Sequence, residues 1–127
     1  MAGSVRVLFV GGQPKGHLGA FSPETLSGKR LRRLVDRLGL RVVDYFDLWR
    51  DYAEEYRGEV GLSQRVYLRG MQNDGVILVP LGRYVNKRLA EARFHLPYYE
   101  HPASRRKGDL KRLEDKLSVF APIAEVP

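Results

Sequence analysis

Cysteine is absent from this chain of 127 residues, and histidine occurs only three times. Without cysteine the protein has no disulfide, no thiolate-bound zinc and no iron–sulfur cluster, and it is compatible with a reducing compartment. His17 and His95 do not lie at metal-ligand spacing from another histidine, which argues against a zinc site of any other kind. We therefore expect no metal ion.

Long apolar segments are also missing from the sequence. The apolar run near the N-terminus, residues 5–10, is far shorter than a signal-peptide core, and a bilayer span needs roughly 20 apolar residues. We expect a cytoplasmic protein that does not associate with membranes.

Acidic residues are scarcer than basic ones, since the chain has 15 Asp and Glu, 22 Lys and Arg, and a formal net charge of +7. Such an excess favours a polyanionic partner such as nucleic acid, although many basic proteins have other roles. The length suits one compact domain spanning residues 1–127, which we expect to be a monomer.

Short apolar runs alternate with segments of helical periodicity. Strands are predicted over residues 5–10, 42–49, 76–81 and 94–99, and the third of them reads as a central strand. Helices are predicted over residues 23–38, from about 84 to 92, and through Leu110, Leu113 and Leu117. Gly39 is the expected end of the first helix, and weaker helical patterns lie between residues 50 and 73.

This alternation predicts an α/β protein with three layers, in which helices cover both faces of a central, mostly parallel, four-stranded sheet. Ligands of such sheets bind at the carboxyl ends of the strands. The loops that follow the strands are therefore the places to look for chemistry.

The loop after the first strand is rich in glycine, with Gly11, Gly12 and Gly16 around Gln13 and Lys15. Glycines let backbone N–H groups approach an anion closely. The loop matches neither the Walker A pattern nor the dinucleotide-binding pattern. An ordinary strand-to-helix turn is the alternative interpretation.

The loop after the fourth predicted strand combines a histidine, a serine and three consecutive cations. Its sequence is Glu100-His101-Pro102-Ala103-Ser104-Arg105-Arg106-Lys107-Gly108. These groups suit phosphate contacts and hydrogen bonds to base edges. The alternative is a solvated basic loop in which Ser104 caps the following helix.

Together these loops resemble the two signature motifs of the uracil-DNA glycosylase superfamily. The segments that carry the resemblance are Gly12-Gln13-Pro14, Gly19-Ala20-Phe21-Ser22 and His101-Pro102-Ala103-Ser104-Arg105. Residues 26–31 and 79–84 resemble the family's helix start and its Leu-Gly turn, so the similarity spans nearly the whole chain.

The resemblance implies a base-flipping mechanism in which a damaged base leaves the duplex and is held in a pocket. Gln13 and His101 would be catalytic, with His101 donating to the developing negative oxygen of the base. Phe21 would stack on the base, and Asp47, or alternatively Asp44, would read its edge. Gly12 and Pro14 complete the base-binding set. DNA contacts are assigned to Lys15, Pro102, Ser104, Arg105, Arg106 and Lys107, with Arg105 filling the gap in the stack.

Two residues depart from the family pattern. Gln13 stands where active members often carry Asp or Asn to position water, and its amide cannot act as a base. Asp47 stands where an amide usually reads the base, and a carboxylate only accepts hydrogen bonds. An acidic reader suits a base that presents donors, such as an amino-bearing one.

The leading hypothesis is a DNA glycosylase that hydrolyses the N-glycosidic bond of uracil or a related damaged or modified base, without a metal ion or an organic cofactor. Its partner would be single- or double-stranded DNA. The main alternative is a catalytically silent family member that binds DNA or a modified nucleotide. A generic nucleotide-binding protein would instead bind an anion at residues 11–16 and give His101 no role.

Overall fold

The computed structural model describes residues 5–14 and 18–122. The chain alternates strands and helices in an α/β arrangement. The elements are β1 (Arg6–Gly11), α1 (Leu26–Leu38), β2 (Arg41–Asp47), α2 (Tyr52–Arg57), α3 (Leu62–Asn73), β3 (Ile77–Pro80), α4 (Arg83–Glu91) and α5 (Asp109–Leu117), followed by a 3-10 turn at Ser118–Phe120.

The three strands form a parallel sheet in the order β2-β1-β3, so β1 is the central strand. Side chains of a strand alternate between the two faces of a sheet. Val7 and Phe9 accordingly pack with α1 and α5, whereas Leu8 and Val10 pack with α3 and α4. Helices therefore cover both faces, as predicted.

Helix α1 begins later than its periodicity predicted. Thr25 is the N-cap and accepts a hydrogen bond from the backbone N–H of Gly28. Residues 22–25 form a turn closed by the Thr25 N–H and the Ser22 carbonyl at 3.0 Å. Gly39 ends the helix at φ 67°, as the sequence predicted, because glycine enters the left-handed region without steric cost.

The predicted fourth strand is wrong, and β3 lies at the edge of the sheet instead of inside it. Residues 94–99 form only one parallel bridge, between Tyr99 and Leu81, which directly follows β3. The backbone carbonyls of Leu96 and Pro97 both accept from Asn86 Nδ2 at 3.1 Å. Since Pro97 has no N–H and these carbonyls are already bonded, the segment cannot form a regular ladder.

The helices within the described residues are all too short or too polar to cross a bilayer.

Candidate functional site

A pocket of about 500 Å³ opens at the carboxyl ends of the three strands. This is the edge at which parallel α/β sheets bind their ligands. The lining includes all six residues predicted for catalysis and base binding, namely Gly12, Gln13, Pro14, Phe21, Asp47 and His101. It also includes Glu55, Gly82 and Tyr84. Residues from both motif loops thus line one cavity.

The floor of the pocket depends on the absence of a side chain at Gly11. A Cβ atom there would lie 2.6 Å from Phe21 Cε2 and 2.9 Å from Asp47 Oδ1. Such distances are shorter than van der Waals contact, so only glycine lets both groups meet over the end of β1. Phe21 itself has a positive φ of 48°, and its carbonyl accepts from Arg32 Nε at 3.0 Å.

Asp47, and not Asp44, lines the pocket. Asp44 is exposed, and its carboxylate accepts hydrogen bonds from the Tyr67 hydroxyl and from the backbone N–H of Tyr45. Burial and the nearby charge of Glu55 raise the pKa of Asp47 from its ordinary value of 3.8 to about 6. The base-reading position therefore holds a carboxyl group that takes up a proton in mildly acidic solution.

The Gln13 side chain contacts the carboxylate of Glu55, a residue that the sequence patterns did not indicate. Its Nε2 donates to Glu55 Oε1 at 2.9 Å, across 42 residues of chain. The second oxygen of Glu55 lies against Gly12, where an added Cβ would collide with it. Glu55 therefore lies at the end of β1, next to Gln13, which occupies the predicted water-positioning site.

Helix α2 holds Glu55 in place although none of its side chains is buried. Asp51 caps the helix by accepting from the Glu54 backbone N–H at 2.9 Å. The Tyr84 hydroxyl donates to the Glu55 carbonyl, and Trp49 Nε1 donates to the Glu59 carbonyl at 2.8 Å. Contacts with Trp49, just after β2, and with Tyr84 on α4 therefore fix this short helix and the residues after it.

His101 lies on the opposite lip of the pocket, and its ring packs over Gly82. A Cβ at Gly82 would be 3.3 Å from His101 Cδ2, and the φ of Gly82 is 94°. The backbone N–H of Ala103 donates to His101 Nδ1 at 3.0 Å. Because Nδ1 accepts, the proton of the neutral imidazole is on Nε2, which makes Nε2 a hydrogen-bond donor.

The loop that carries His101 is anchored from two sides. Arg30 of α1 donates from Nη1 to the carbonyls of Pro102 and Ser104, at 3.2 and 3.3 Å. The Ser104 hydroxyl donates to Asp109 Oδ2 at 2.6 Å and accepts from the Arg106 backbone N–H. Ser104 does not cap α5, whose N-cap position is Gly108. A phosphate contact by Ser104 stays a prediction and would require its bond to Asp109 to break.

Three predicted DNA contacts, Arg105, Arg106 and Lys107, are exposed in this loop, and Pro102 is buried. A second hollow of about 410 Å³ lies on the other side of His101 and is bordered by Arg83 and Arg106. Asp109 borders the same hollow, and Arg83 also lines the main pocket, so cations and carboxylates both lie near the histidine. Lys15 lies outside the described residues.

Two aromatic residues that follow or end the predicted strands belong to the interior. Trp49 and Tyr99 are 3% and 5% exposed, so they pack in the protein and do not present stacking surfaces to solvent.

Glu55 lines the pocket although no sequence motif indicated it. Its only sequence signal was its position shortly after the loop that follows β2, where ligand-binding side chains were expected.

Within residues 5–14 and 18–122, no group of three or more His, Asp or Glu side chains is arranged to hold a metal ion. Comparisons of the chain with protein-family models, with curated proteins and with solved structures gave no match.

Proposed function

We propose that the protein is a DNA glycosylase of the uracil-DNA glycosylase superfamily, acting on uracil or a related damaged or modified base. The observation that carries the proposal is the shared pocket: Gln13 and Phe21 from the first motif loop and His101 from the second line the same cavity. Its volume of about 500 Å³ is within the range of small-molecule sites and admits a flipped base.

Three residues that line the pocket each have a role in such a reaction. The Phe21 ring stacks on the flipped base, and the Asp47 carboxyl reads the edge of that base. His101 donates from Nε2 to a base oxygen, which becomes negative as the glycosidic bond breaks. Stabilising charge that develops in the transition state is the strongest effect that one side chain exerts in catalysis.

The exposed cations of the loop meet the DNA itself. Arg105, Arg106 and Lys107 lie beside the pocket, where they neutralise phosphates, and Arg105 fills the space that the flipped base leaves. The reaction requires neither a metal ion nor an organic cofactor.

The second candidate is a catalytically silent family member that binds DNA or a modified nucleotide. The identity of Gln13 favours it, because an amide orients water but does not accept a proton from it. In this case the pocket would bind a base without releasing it.

Base release from labelled oligonucleotides tests both candidates. Single- and double-stranded substrates carry uracil, hypoxanthine, xanthine or hydroxymethyluracil, and alkali reveals abasic sites. Release that is lost in His101→Ala supports the glycosylase. Salt-sensitive DNA binding without release of any base favours the silent member, and absence of both release and binding contradicts the two proposals together.

A further inference from the structure

Hydrolysis of a glycosidic bond needs a group that orients water and takes its proton. Gln13 occupies the position from which that group is expected, yet its side chain is an amide. Besides this amide, the pocket contains two carboxyl groups, those of Asp47 and Glu55. The question is which of them lies where water would attack, and the inference rests on the proposed function.

Glu55 is the carboxylate in direct contact with Gln13. The Gln13 amide donates to Glu55 Oε1 at 2.9 Å, and the other oxygen lies against the backbone of Gly12. A carboxylate that is hydrogen-bonded at one oxygen and lies against backbone at the other has a restricted direction, which suits a general base. Gln13 in this arrangement orients Glu55 and does not itself carry out proton transfer.

Glu55 differs from its neighbour Glu54 on the same helix. Glu54 faces away from the pocket and forms an ion pair with Arg50 at 2.6 Å. The ion pairs found among the described residues all involve carboxylates other than Glu55. The Glu55 side chain thus lines the pocket, whereas the Glu54 side chain is engaged by Arg50.

Asp47 is less suited to the task. It lies beside Phe21 and over the end of β1, where a flipped base would stack. The charge of Glu55 helps to raise the pKa of Asp47, which shows that the two carboxyl groups sense each other. Glu55, in contrast, contacts Gln13, at the position from which a water-positioning group is expected.

We propose that Glu55 is the general base of this protein, with Gln13 as its positioning residue. As the bond between C1′ and the base nitrogen breaks, its electron pair leaves with the base. The oxygen of a water molecule bonds to C1′, and the proton of that water passes to Glu55. The base leaves as an anion that accepts a hydrogen bond from His101 Nε2 and is protonated by solvent afterwards.

Single-turnover base release by Glu55→Gln tests the assignment, using whichever oligonucleotide of the four-base panel the wild type cleaves. The rate falls about a hundredfold or more, the scale of general-base catalysis. Glu54→Gln, the same change one residue earlier, stays within about twofold of wild type because Glu54 lies outside the pocket. Binding of an uncleavable 2′-fluorinated analogue is unchanged in both variants.

Chemical rescue separates a base from a merely structural residue. Sodium formate restores release to Glu55→Ala, since a small carboxylate enters the space left by the side chain, and it leaves Glu54→Ala unaffected. A Glu55→Gln variant that keeps the wild-type rate overturns the role of Glu55 while the glycosylase proposal stands. A folded Glu55→Ala that is slow but not rescued also overturns it. A wild type that releases no base from any substrate overturns the glycosylase and the general base together.

Discussion

The two sides of the pocket have opposite charge. One side, which we call the acidic wall, consists of Asp47 at the end of β2 and Glu55 on α2. The other, the basic loop, consists of residues 101–107, with Arg105, Arg106 and Lys107 exposed next to His101. A protein with a net charge of +7 therefore keeps two carboxyl groups at its candidate site and places its cations beside it.

Under the proposed function, this separation assigns the attraction of DNA and the chemistry on DNA to different surfaces. Phosphates are attracted to the basic loop by charge alone, independently of sequence. The acidic wall would repel a phosphate but suits a sugar that becomes positively charged as the base leaves. Variants that remove one side at a time should consequently fail in different steps.

The largest effect is expected from His101→Ala. Loss of the Nε2 donor removes the hydrogen bond to the departing base and should lower the base-release rate about a hundredfold or more. DNA affinity should change little, because the three cations of the loop remain. Single-turnover release and fluorescence anisotropy with a labelled duplex measure the two quantities, and an unchanged release rate would remove His101 from the mechanism.

An effect of intermediate size, on the free energy of unfolding, is expected from Asp47→Asn. The folded-state pKa of Asp47, about 6, lies above its ordinary value of 3.8, so folding disfavours the ionised form. Stability contributed by the protonated form is present below about pH 4 and is lost as the pH rises through 6. Because Asn cannot ionise, the Asp47→Asn variant does not lose this stability as the pH rises.

We therefore expect Asp47→Asn to be more stable than wild type by about 1 to 2 kcal/mol at pH 7.5, a value reduced for the partial exposure of the carboxyl. The difference should vanish near pH 3.5, where both side chains are neutral. Urea unfolding of the two proteins at both pH values measures it. Equal stability at pH 7.5 would mean that Asp47 is solvated well enough to ionise freely.

The smallest effect is expected from Arg105→Ala on the basic loop. Affinity for duplex DNA should fall about fivefold, because one phosphate-neutralising cation and the residue that fills the stack are lost together. Arg41→Ala, which removes an exposed cation at the opposite end of β2, is the matched control. Anisotropy titrations with duplex and single strands separate the roles: equal losses for both DNAs would argue against a wedge.

Much of the fold was predictable because local patterns determined it. The apolar run of β1 and the spacing of Leu31, Leu34 and Leu38 identified a strand and a helix, and Gly39 identified the end of that helix. The strand prediction for residues 94–99 was wrong because the apolar residues Phe94, Leu96 and Tyr99 give this segment a strand-like composition. The hydrogen bonds that prevent pairing come from Asn86, which no local pattern reveals.

The candidate site was predictable only where the motif residues themselves line it. Gln13, Phe21, Asp47 and His101 were found through loops at the ends of strands. Glu55 was not, because its contact with Gln13 joins residues 42 positions apart and depends on how α2 docks. The docking contacts of α2 from Trp49 and Tyr84 reach backbone carbonyls, which leave no mark on the sequence.

The irregular segment beside β3 has a consequence for self-association. An exposed edge strand offers unpaired backbone groups to other chains and promotes edge-to-edge aggregation. Here the side chain of Asn86 occupies the carbonyls of Leu96 and Pro97, and a proline interrupts the row of donors. On the far side, β2 carries a register irregularity opposite Val7 and Leu8 and exposes Arg41 and Asp44. Each outer margin of this small sheet is therefore a poor template for a further strand, which disfavours edge-to-edge pairing between copies of the protein.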